Sequence, residues 1–245
     1  MKRVASIFAS VLFLLPVSAF ADVVFNDGTF NLANYSESTQ FASGTVNSFL
    51  QCASCGNPDT ALQINTTAPI GTGSYSQAFI NNTFAYNPLT QGAISSISAS
   101  VDKNINLNYA TSGFGNTFRP TIEQDGLFYA AAIPGPTLNT GAGGGSSGYN
   151  TLSQAGLLAT NFQEYDFTTG TFIASVHPNF AGDSMLLGLT QITTIGGGPS
   201  NAMFFAQYDN LHLDLAQVPE PTSLVLLGSA LLGFGVIRRR RHNLK

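Results

Sequence analysis

The stretch that decides the fold reads Ile97-Ser98-Ala99-Ser100-Val101-Asp102-Lys103-Asn104-Ile105-Asn106-Leu107-Asn108-Tyr109. Ile97, Ala99 and Val101 alternate with serines, and Ile105, Leu107 and Tyr109 alternate with asparagines. A period of two puts one set on a packed face and the other on a solvated face of a strand. Asp102-Lys103-Asn104 has turn chemistry and reads as a hairpin joining two strands. The same pattern recurs outward from here. Phe118, Pro120 and Ile122 alternate, Asp125-Gly126 marks a turn, and Leu127–Ile133 reads as a more buried strand. Ala78–Tyr86, Met185–Ile192 and Met203–Gln207 are further strands. Leu211, Leu213 and Leu215 share a side opposite His212 and Asp214. No helical period is visible between Asp22 and Gln217. Many short strands with turns between them predict an all-β fold: one antiparallel jelly-roll-like β-sandwich over residues 22–217.

Composition narrows the function. Of 245 residues 44% are hydrophobic, enough for a packed interior, and only 9% are charged, against about 25% in ordinary soluble domains. Nineteen phenylalanines and no tryptophan supply the large side chains. The net charge of −4 hides a segregation. Lys2 and Arg3 open the chain, and Arg238, Arg239, Arg240, Arg241 and Lys245 close it. Residues 22–217 keep two cations, Lys103 and Arg119, against twelve acids, hence 2 − 12 = −10. A body with two cations cannot displace counterions from many phosphates, which excludes nucleic-acid binding. It also argues against nucleotide or sugar-phosphate chemistry.

The two ends read as addresses. Lys2-Arg3, an apolar run centred on Val11–Leu15 and the small residues Ala19 and Ala21 of Ala19-Phe20-Ala21 form a signal peptide over 1–21, cleaved by signal peptidase before Asp22. At the other end come Pro219-Glu220-Pro221, an apolar run from Ser223 to Ile237, and Arg238–Arg241. As a helix that run reaches only ~22 Å, short of a ~30 Å hydrocarbon core. Snorkelling arginines close the gap and stay in the cytoplasm, leaving the body outside.

These three ordered elements over 218–245 resemble the PEP-CTERM sorting signal of Gram-negative bacteria. The resemblance implies a short transmembrane sorting helix that holds the protein in the inner membrane transiently. It further implies an exosortase that recognises Pro219-Glu220-Pro221 and releases the body to the cell surface or beyond. Proteins of this kind are associated with exopolysaccharide and biofilm matrix.

The ends of the body carry a second resemblance. Asn26-Asp27-Gly28-Thr29-Phe30 and Tyr208-Asp209-Asn210-Leu211-His212-Leu213 look like the first and last strands of carbohydrate-binding jelly rolls, families that often hold a structural calcium between these strands. Carried over, Asp27 and Asp209 are the candidate oxygen ligands, although calcium takes six to eight oxygens and both residues also read as turn residues. No other cofactor is expected.

The remaining chemistry is sparse. Cys52-Ala53-Ser54-Cys55 reads as a local disulfide in an exported protein. A zinc site would need four ligands, and the body offers only His177 and His212 besides. The redox reading lacks a βαβ context. Gly143–Gly148 matches the dinucleotide fingerprint and Gly144–Gly148 the hydrolase elbow, but both need a strand entering and a helix leaving, and this segment is low-complexity loop. His177 and His212 read as surface histidines. The acid pairs Glu123/Asp125 and Glu164/Asp166 have the spacing that puts two carboxylates on one strand face, the arrangement a glycosidase would need.

Sugar rings stack on exposed aromatics, for which Tyr86, Tyr109, Tyr129, Tyr149 and Tyr208 are candidates. The asparagines of 104–108 offer paired donors and acceptors for hydroxyls or form a plain solvated face. Three roles follow: a non-catalytic surface or matrix protein associated with exopolysaccharide, a dedicated carbohydrate-binding module, or a glycan hydrolase. The first is the expectation, without catalytic residues.

Overall fold

In the computed structural model the described residues are 22–36, 40–108, 113–133 and 145–218. The signal segment 1–21 with Ala19 and Ala21 lies outside them. So do Pro219, Glu220, Pro221, the sorting helix, Arg238–Arg241, and Tyr109. The strands are β1 (Val23–Asp27), β2 (Tyr35–Ser36), β3 (Gln40–Ser43), β4 (Val46–Gly56), β5 (Asp59–Ala68), β6 (Gly73–Tyr86), β7 (Ile94–Leu107), β8 (Gly113–Gln124), β9 (Leu127–Ala131), β10 (Gly145–Ser146), β11 (Asn150–Leu157), β12 (Phe162–Asp166), β13 (Thr171–Ile173), β14 (Met185–Gly196) and β15 (Ala202–Gln217). One short helix, α1 (Pro88–Gln91), links β6 to β7.

All pairings are antiparallel. Sheet A runs β10-β7-β15-β5-β4, with β1 also on β15 and β11 also on β7. Sheet B runs β13-β12-β9-β8-β14-β6-β2, with β3 also on β6. The chain passes from β3 in sheet B to β4 and β5 in sheet A, back to β6, and again to β7. This repeated exchange between two packed antiparallel sheets is a jelly-roll sandwich, which pairs most strand edges inside the fold.

Alternation explains the core. On β15, Phe204, Ala206 and Tyr208 point between the sheets, and so do Leu211, Leu213 and Leu215. The inward set changes from even to odd numbers, so one extra residue must be absorbed. Asn210 absorbs it with φ 51°, and the β7 register shifts between Asp209 and His212. A bulge of this kind keeps both leucine and aromatic sets buried. The strand is thus continuous through Asp209-Asn210, which is not a turn.

The hairpin expected at Asp102-Lys103-Asn104 does not exist. β7 runs unbroken from Ile94 to Leu107 against β15, with Asp209 opposite Asp102 and Gln207 opposite Asn104. The inward parity 97, 99, 101, 103, 105, 107 never breaks. Lys103 therefore points into the interior at 2% exposure. Its Nζ donates to the Asn116 carbonyl at 2.9 Å, while the Tyr208 hydroxyl donates to Asn116 Oδ1 and Asn116 Nδ2 donates to Thr193 Oγ1. Burial without an acidic partner lowers the Lys103 ammonium to about 7.

The Asp125-Gly126 turn stands as read: both residues have positive φ, 56° and 76°, and join β8 to β9. Gly188 marks a different constraint. A Cβ there would lie 2.0 Å from the Phe79 carbonyl oxygen, so only glycine lets β14 lie this close to β6.

Candidate functional site

The outer face of sheet A follows from the same parity. Inward Leu62 and Ile64 on β5 force Gln63 and Asn65 outward, and inward Phe204 and Ala206 on β15 force Phe205 and Gln207 outward. Opposite residues of antiparallel strands share a face. Leu50, Gln63, Gln207 and Asn104 therefore form one row across β4, β5, β15 and β7. Ser48, Asn65, Phe205, Asn106 and Ser146 form the next, ending on β10.

The polar side chains of these rows join in one directed chain. Ser146 Oγ donates to Asn104 Oδ1 (2.8 Å), and Asn104 Nδ2 to Gln207 Oε1 (2.8 Å). Gln207 Nε2 then donates to Gln63 Oε1 (2.9 Å), Gln63 Nε2 to Asn65 Oδ1 (2.9 Å), and Asn65 Nδ2 to Ser48 Oγ (3.2 Å). Head-to-tail bonds polarise one another and fix the side chains before any ligand arrives. Each amide uses one of its two N–H groups in the chain; the half-buried Gln63 and Asn65 keep the second for a further partner, while Asn104 and Gln207 are buried beneath the face. Beside them the half-buried Phe205 ring lines a shallow hollow of about 310 Å³ with Gln63, Asn106, Leu107, Asn108 and Gln207. The lining carries no charge. It is an uncharged aromatic surface rimmed by amides, able to take ring C–H groups by stacking and hydroxyls by hydrogen bonding.

A second hollow of about 360 Å³ lies between β1 and β6, lined in part by Asn26, Asn81, Thr83 and Phe84. Its amide oxygens are taken: Asn81 Oδ1 accepts from Thr83 N and Oγ1, and Asn26 Oδ1 bonds His212 Nδ1.

Next to the amide rows sits an acidic corner. Asp209 lies opposite Asp102 and is fully buried. Burial raises the Asp209 carboxyl, the backbone N–H groups of Asn57 and Asn210 pull it back, and the nearby Asp102 and Asp27 charges raise it further. Asp102 Oδ2 accepts from Asn57 Nδ2 (3.2 Å) and Asn210 Nδ2 (2.9 Å).

The residues at the proposed calcium position are committed in the same way. Asp27 Oδ1 accepts from Thr29 N (2.9 Å), Phe30 N (2.8 Å) and Thr29 Oγ1, and its Oδ2 accepts from Tyr35 Oη (2.7 Å). Each Asp209 oxygen accepts a backbone N–H. Donors thus face both carboxylates, and among the described residues no three acids, histidines or cysteines gather around one point. Asp27 and Asp209 as arranged do not fit a calcium ion, which wants bare oxygens on every side. Asp27 caps the turn after β1, and Asp209 ties the β4–β5 turn to β15.

Cys52 and Cys55 lie near the end of β4 with their sulfurs 2.09 Å apart, next to the Asn57-Pro58 turn. The Tyr149 hydroxyl donates to the Cys55 carbonyl. Tyr149 is half-buried at the rim of the face. Tyr86, Tyr129 and Tyr208 are core residues at 0%, 6% and 0% exposure, so they cannot meet a sugar. Inward parity on β6, β9 and β15 claims them.

The acid pairs part ways. Glu123 lies on β8 and Asp125 in the turn beyond it, while Glu164 and Asp166 both lie on β12, two residues apart on one face. Asp166 closes the β12–β13 turn, accepting from Thr168 N (2.7 Å) and Thr169 Oγ1 (2.8 Å), bonds that lower its carboxyl. His177 Nδ1 bonds the Phe162 carbonyl (2.7 Å).

Sequence reasoning reached Asn104, Asn106 and Asn108 but missed Ser48, Gln63, Asn65, Phe205 and Gln207. The signal was present in the buried neighbours: Leu62/Ile64 and Phe204/Ala206 assign the residues between them to the outside.

Residues 217–241 match the PEP-CTERM protein-sorting motif. The motif marks an exported protein, sorted to the cell surface through exosortase processing. No curated protein matches the chain. Among solved structures it is similar to a family 11 carbohydrate-binding module from Clostridium thermocellum, determined with a β-1,3-1,4-mixed-linked tetrasaccharide (11% identity, 83% of this chain and 100% of that one, TM-score 0.43). It is also similar to a family 22 xylan-binding domain from Paenibacillus barcinonensis (9% identity, 82% and 99%, TM-score 0.34). A third is a family 27 module described for specific mannan recognition (14% identity, 80% and 99%, TM-score 0.36). The protein is thus an exported one whose body is a jelly-roll sandwich.

Proposed function

We propose that the body is a non-catalytic surface or matrix protein of a Gram-negative bacterium that holds neutral polysaccharide on the outer face of sheet A. The supporting observation is the uncharged Phe205 hollow beside the Ser146–Asn104–Gln207–Gln63–Asn65–Ser48 chain. Pyranose C–H groups stack on such a ring, and amides already locked in place lose little freedom when they meet hydroxyls. The sorting motif supports the setting, since it delivers the body to the surface where exopolysaccharide lies. Asp125 sits in a turn and Asp166 is held by Thr168 and Thr169, which favours holding over hydrolysis.

Residues 22–217 contain both sheets and both hydrophobic clusters, so this segment is the unit to purify. A panel of neutral glucans, xylans and mannans is titrated calorimetrically and followed for reducing ends. Saturable binding without turnover is expected. Phe205→Ala should weaken it at least tenfold, about 1.4 kcal/mol, with the melting temperature kept. Equal binding by wild type and Phe205→Ala overturns the assignment of the face, and release of reducing ends overturns the non-catalytic reading.

A further inference from the structure

The β4 strand is the outermost member of sheet A along β10-β7-β15-β5-β4, and among the described residues only β5 pairs with it. The seven residues Val46–Cys52, in unbroken register with β5, present on their other side a row of N–H and C=O groups, a template for another strand; beyond them the register shifts and the Tyr149 hydroxyl takes the Cys55 carbonyl. Native edges are usually blunted by lysines, prolines, inward charges or extreme shortness. β4 has none of these: Val46-Asn47-Ser48-Phe49-Leu50-Gln51-Cys52-Ala53-Ser54-Cys55-Gly56 lacks Lys, Arg, Asp, Glu and Pro, and the charge-free stretch extends from Ser38 to Pro58. A body carrying twelve acids has kept every one of them off this edge.

The side chains are arranged for a particular occupant. Val46 and Leu50 are large apolar residues left 65% and 40% exposed on the outer face of the edge, with exposed Ser48 midway between them. Phe49 points the other way and packs edge-on against Phe79 in the core. Antiparallel pairing keeps the sum of opposed residue numbers constant. A two-fold axis at Ser48 therefore sets Val46 of each copy against Leu50 of the other, covering both. The edge is self-complementary in this register: each exposed apolar residue meets an apolar residue of the second copy. An isologous contact of this type closes on itself and uses the same patch twice.

We propose that two copies of this protein pair antiparallel through β4, joining two A sheets into one continuous sheet. The Ser48 ends of the two amide chains then meet at the axis. The outer faces become one uninterrupted surface, so a long polymer meets two hollows at once. The pairing itself stands apart from the glycan reading and does not depend on it.

The test uses sedimentation equilibrium of residues 22–217 without glycan. Wild type should be a reversible dimer at submillimolar concentration. Val46→Lys and Leu50→Glu should each be monomeric with unchanged melting temperature and far-ultraviolet circular dichroism, because both sites are exposed. Mixing the two variants should restore a heterodimer, since Lys at 46 of one then faces Glu at 50 of the other. A monomeric wild type overturns the proposal. So does either variant remaining dimeric, and so does a mixture that fails to reassociate. Melting temperatures reported beside each weight separate dissociation from unfolding.

Discussion

The outer face of sheet A and the outer face of sheet B are built from the same alternation and end in opposite states. On sheet A the outward positions are amides and hydroxyls bonded side by side, with one aromatic ring, Phe205, left half-exposed. On sheet B they are Ala78, Ile80, Leu186, Ile192, Phe128, Tyr165 and Phe172, which with Phe167 form a second hydrophobic cluster. Tyr165 on β12 reaches across to donate to Ser76 Oγ on β6 at 2.8 Å, although β9, β8 and β14 lie between in the sheet order. Sheet B therefore curls until its outer face closes on itself. Arg119 lies in this trough, half-buried with its Cζ 4.4 Å from the Phe172 ring centre, and burial lowers its guanidinium. One sheet fills its outer face with its own rings. The other keeps a flat polar surface for something else. Aromatic content alone does not mark a binding face: the face with more rings is the one that has already consumed them.

The strongest way to break this contrast is to remove the central ring of the trough. Tyr165 is 4% exposed and meets Phe167 and Phe172 edge-on at 4.7 Å each. Tyr165→Ala should cost about 3–5 kcal/mol, read as a lower urea midpoint with unchanged slope. Phe205→Ala on the other face should cost under about 1 kcal/mol, because its ring is already half in water. Similar losses at both positions would erase the distinction between a structural and a presenting face.

A second effect separates both faces from the interior between them. The Lys103 ammonium falls from its ordinary 10.5 to about 7 in the folded protein. Between those values the unfolded chain binds more protons than the folded one, so stability must rise with pH across that window. The penalty of burying the charge is complete below about 7 and fades towards 10.5. From pH 7 to 9.5 the gain is about 3 kcal/mol on the full shift. Burial also raises the Tyr35, Tyr149 and Tyr208 hydroxyls, which reverses the trend once unfolded tyrosines ionise, so the series stops before pH 10. Lys103→Met should flatten the profile and raise stability at pH 7. A wild-type profile as flat as the variant's would contradict a buried, titrating lysine.

The fold was legible because period-two alternation survives wherever one face is buried. It misled at Asp102-Lys103-Asn104, whose turn chemistry outweighed an inward parity that continues unbroken from Ile97 to Leu107. At β15 the reverse held: the change from 204, 206, 208 to 211, 213, 215 announced a bulge, and a turn at Asp209-Asn210 was read instead. The site was harder to read for the same physical reason. Gln63, Asn65 and Gln207 are unremarkable amides in sequence, and only the registers β4–β5, β5–β15 and β15–β7 bring them into one row. Tyrosines misled because a phenol packs inside a sandwich as readily as it stands outside, provided its hydroxyl finds a partner. Tyr86 donates to the Gly92 carbonyl and Tyr208 to Asn116.

Smaller effects sharpen the comparison at the end of sheet A. Closing the Cys52–Cys55 loop of about four residues is worth roughly 2 kcal/mol on the chain-entropy account. Reduction should lower the melting temperature without touching the sheet B cluster, followed by the near-ultraviolet signal of its rings. Free thiols before reduction, with no change in melting, would remove the cross-link from the account.

The smallest expected effect concerns calcium at the corner where β1, β15 and the β4–β5 turn meet. Thr29, Phe30, Tyr35, Asn57 and Asn210 already direct N–H or O–H groups at Asp27 and Asp209. A cation entering here must displace those donors and leave some of them buried without acceptors, a cost of about 1–3 kcal/mol for each. Chelation followed by calcium addition should therefore leave the melting temperature unchanged. A rise saturating with calcium would mean that the donors turn away on binding. Asp209→Asn then discriminates: its amide oxygen keeps one of the two backbone contacts, its NH2 group faces the other backbone N–H, and the charge is lost. In a metal-free corner it should destabilise by about 1–3 kcal/mol, equally with and without calcium. In a calcium-loaded corner the same change should abolish the calcium-dependent rise. The response of one substitution to calcium thus decides whether this end of sheet A is held by hydrogen-bond donors or by an ion.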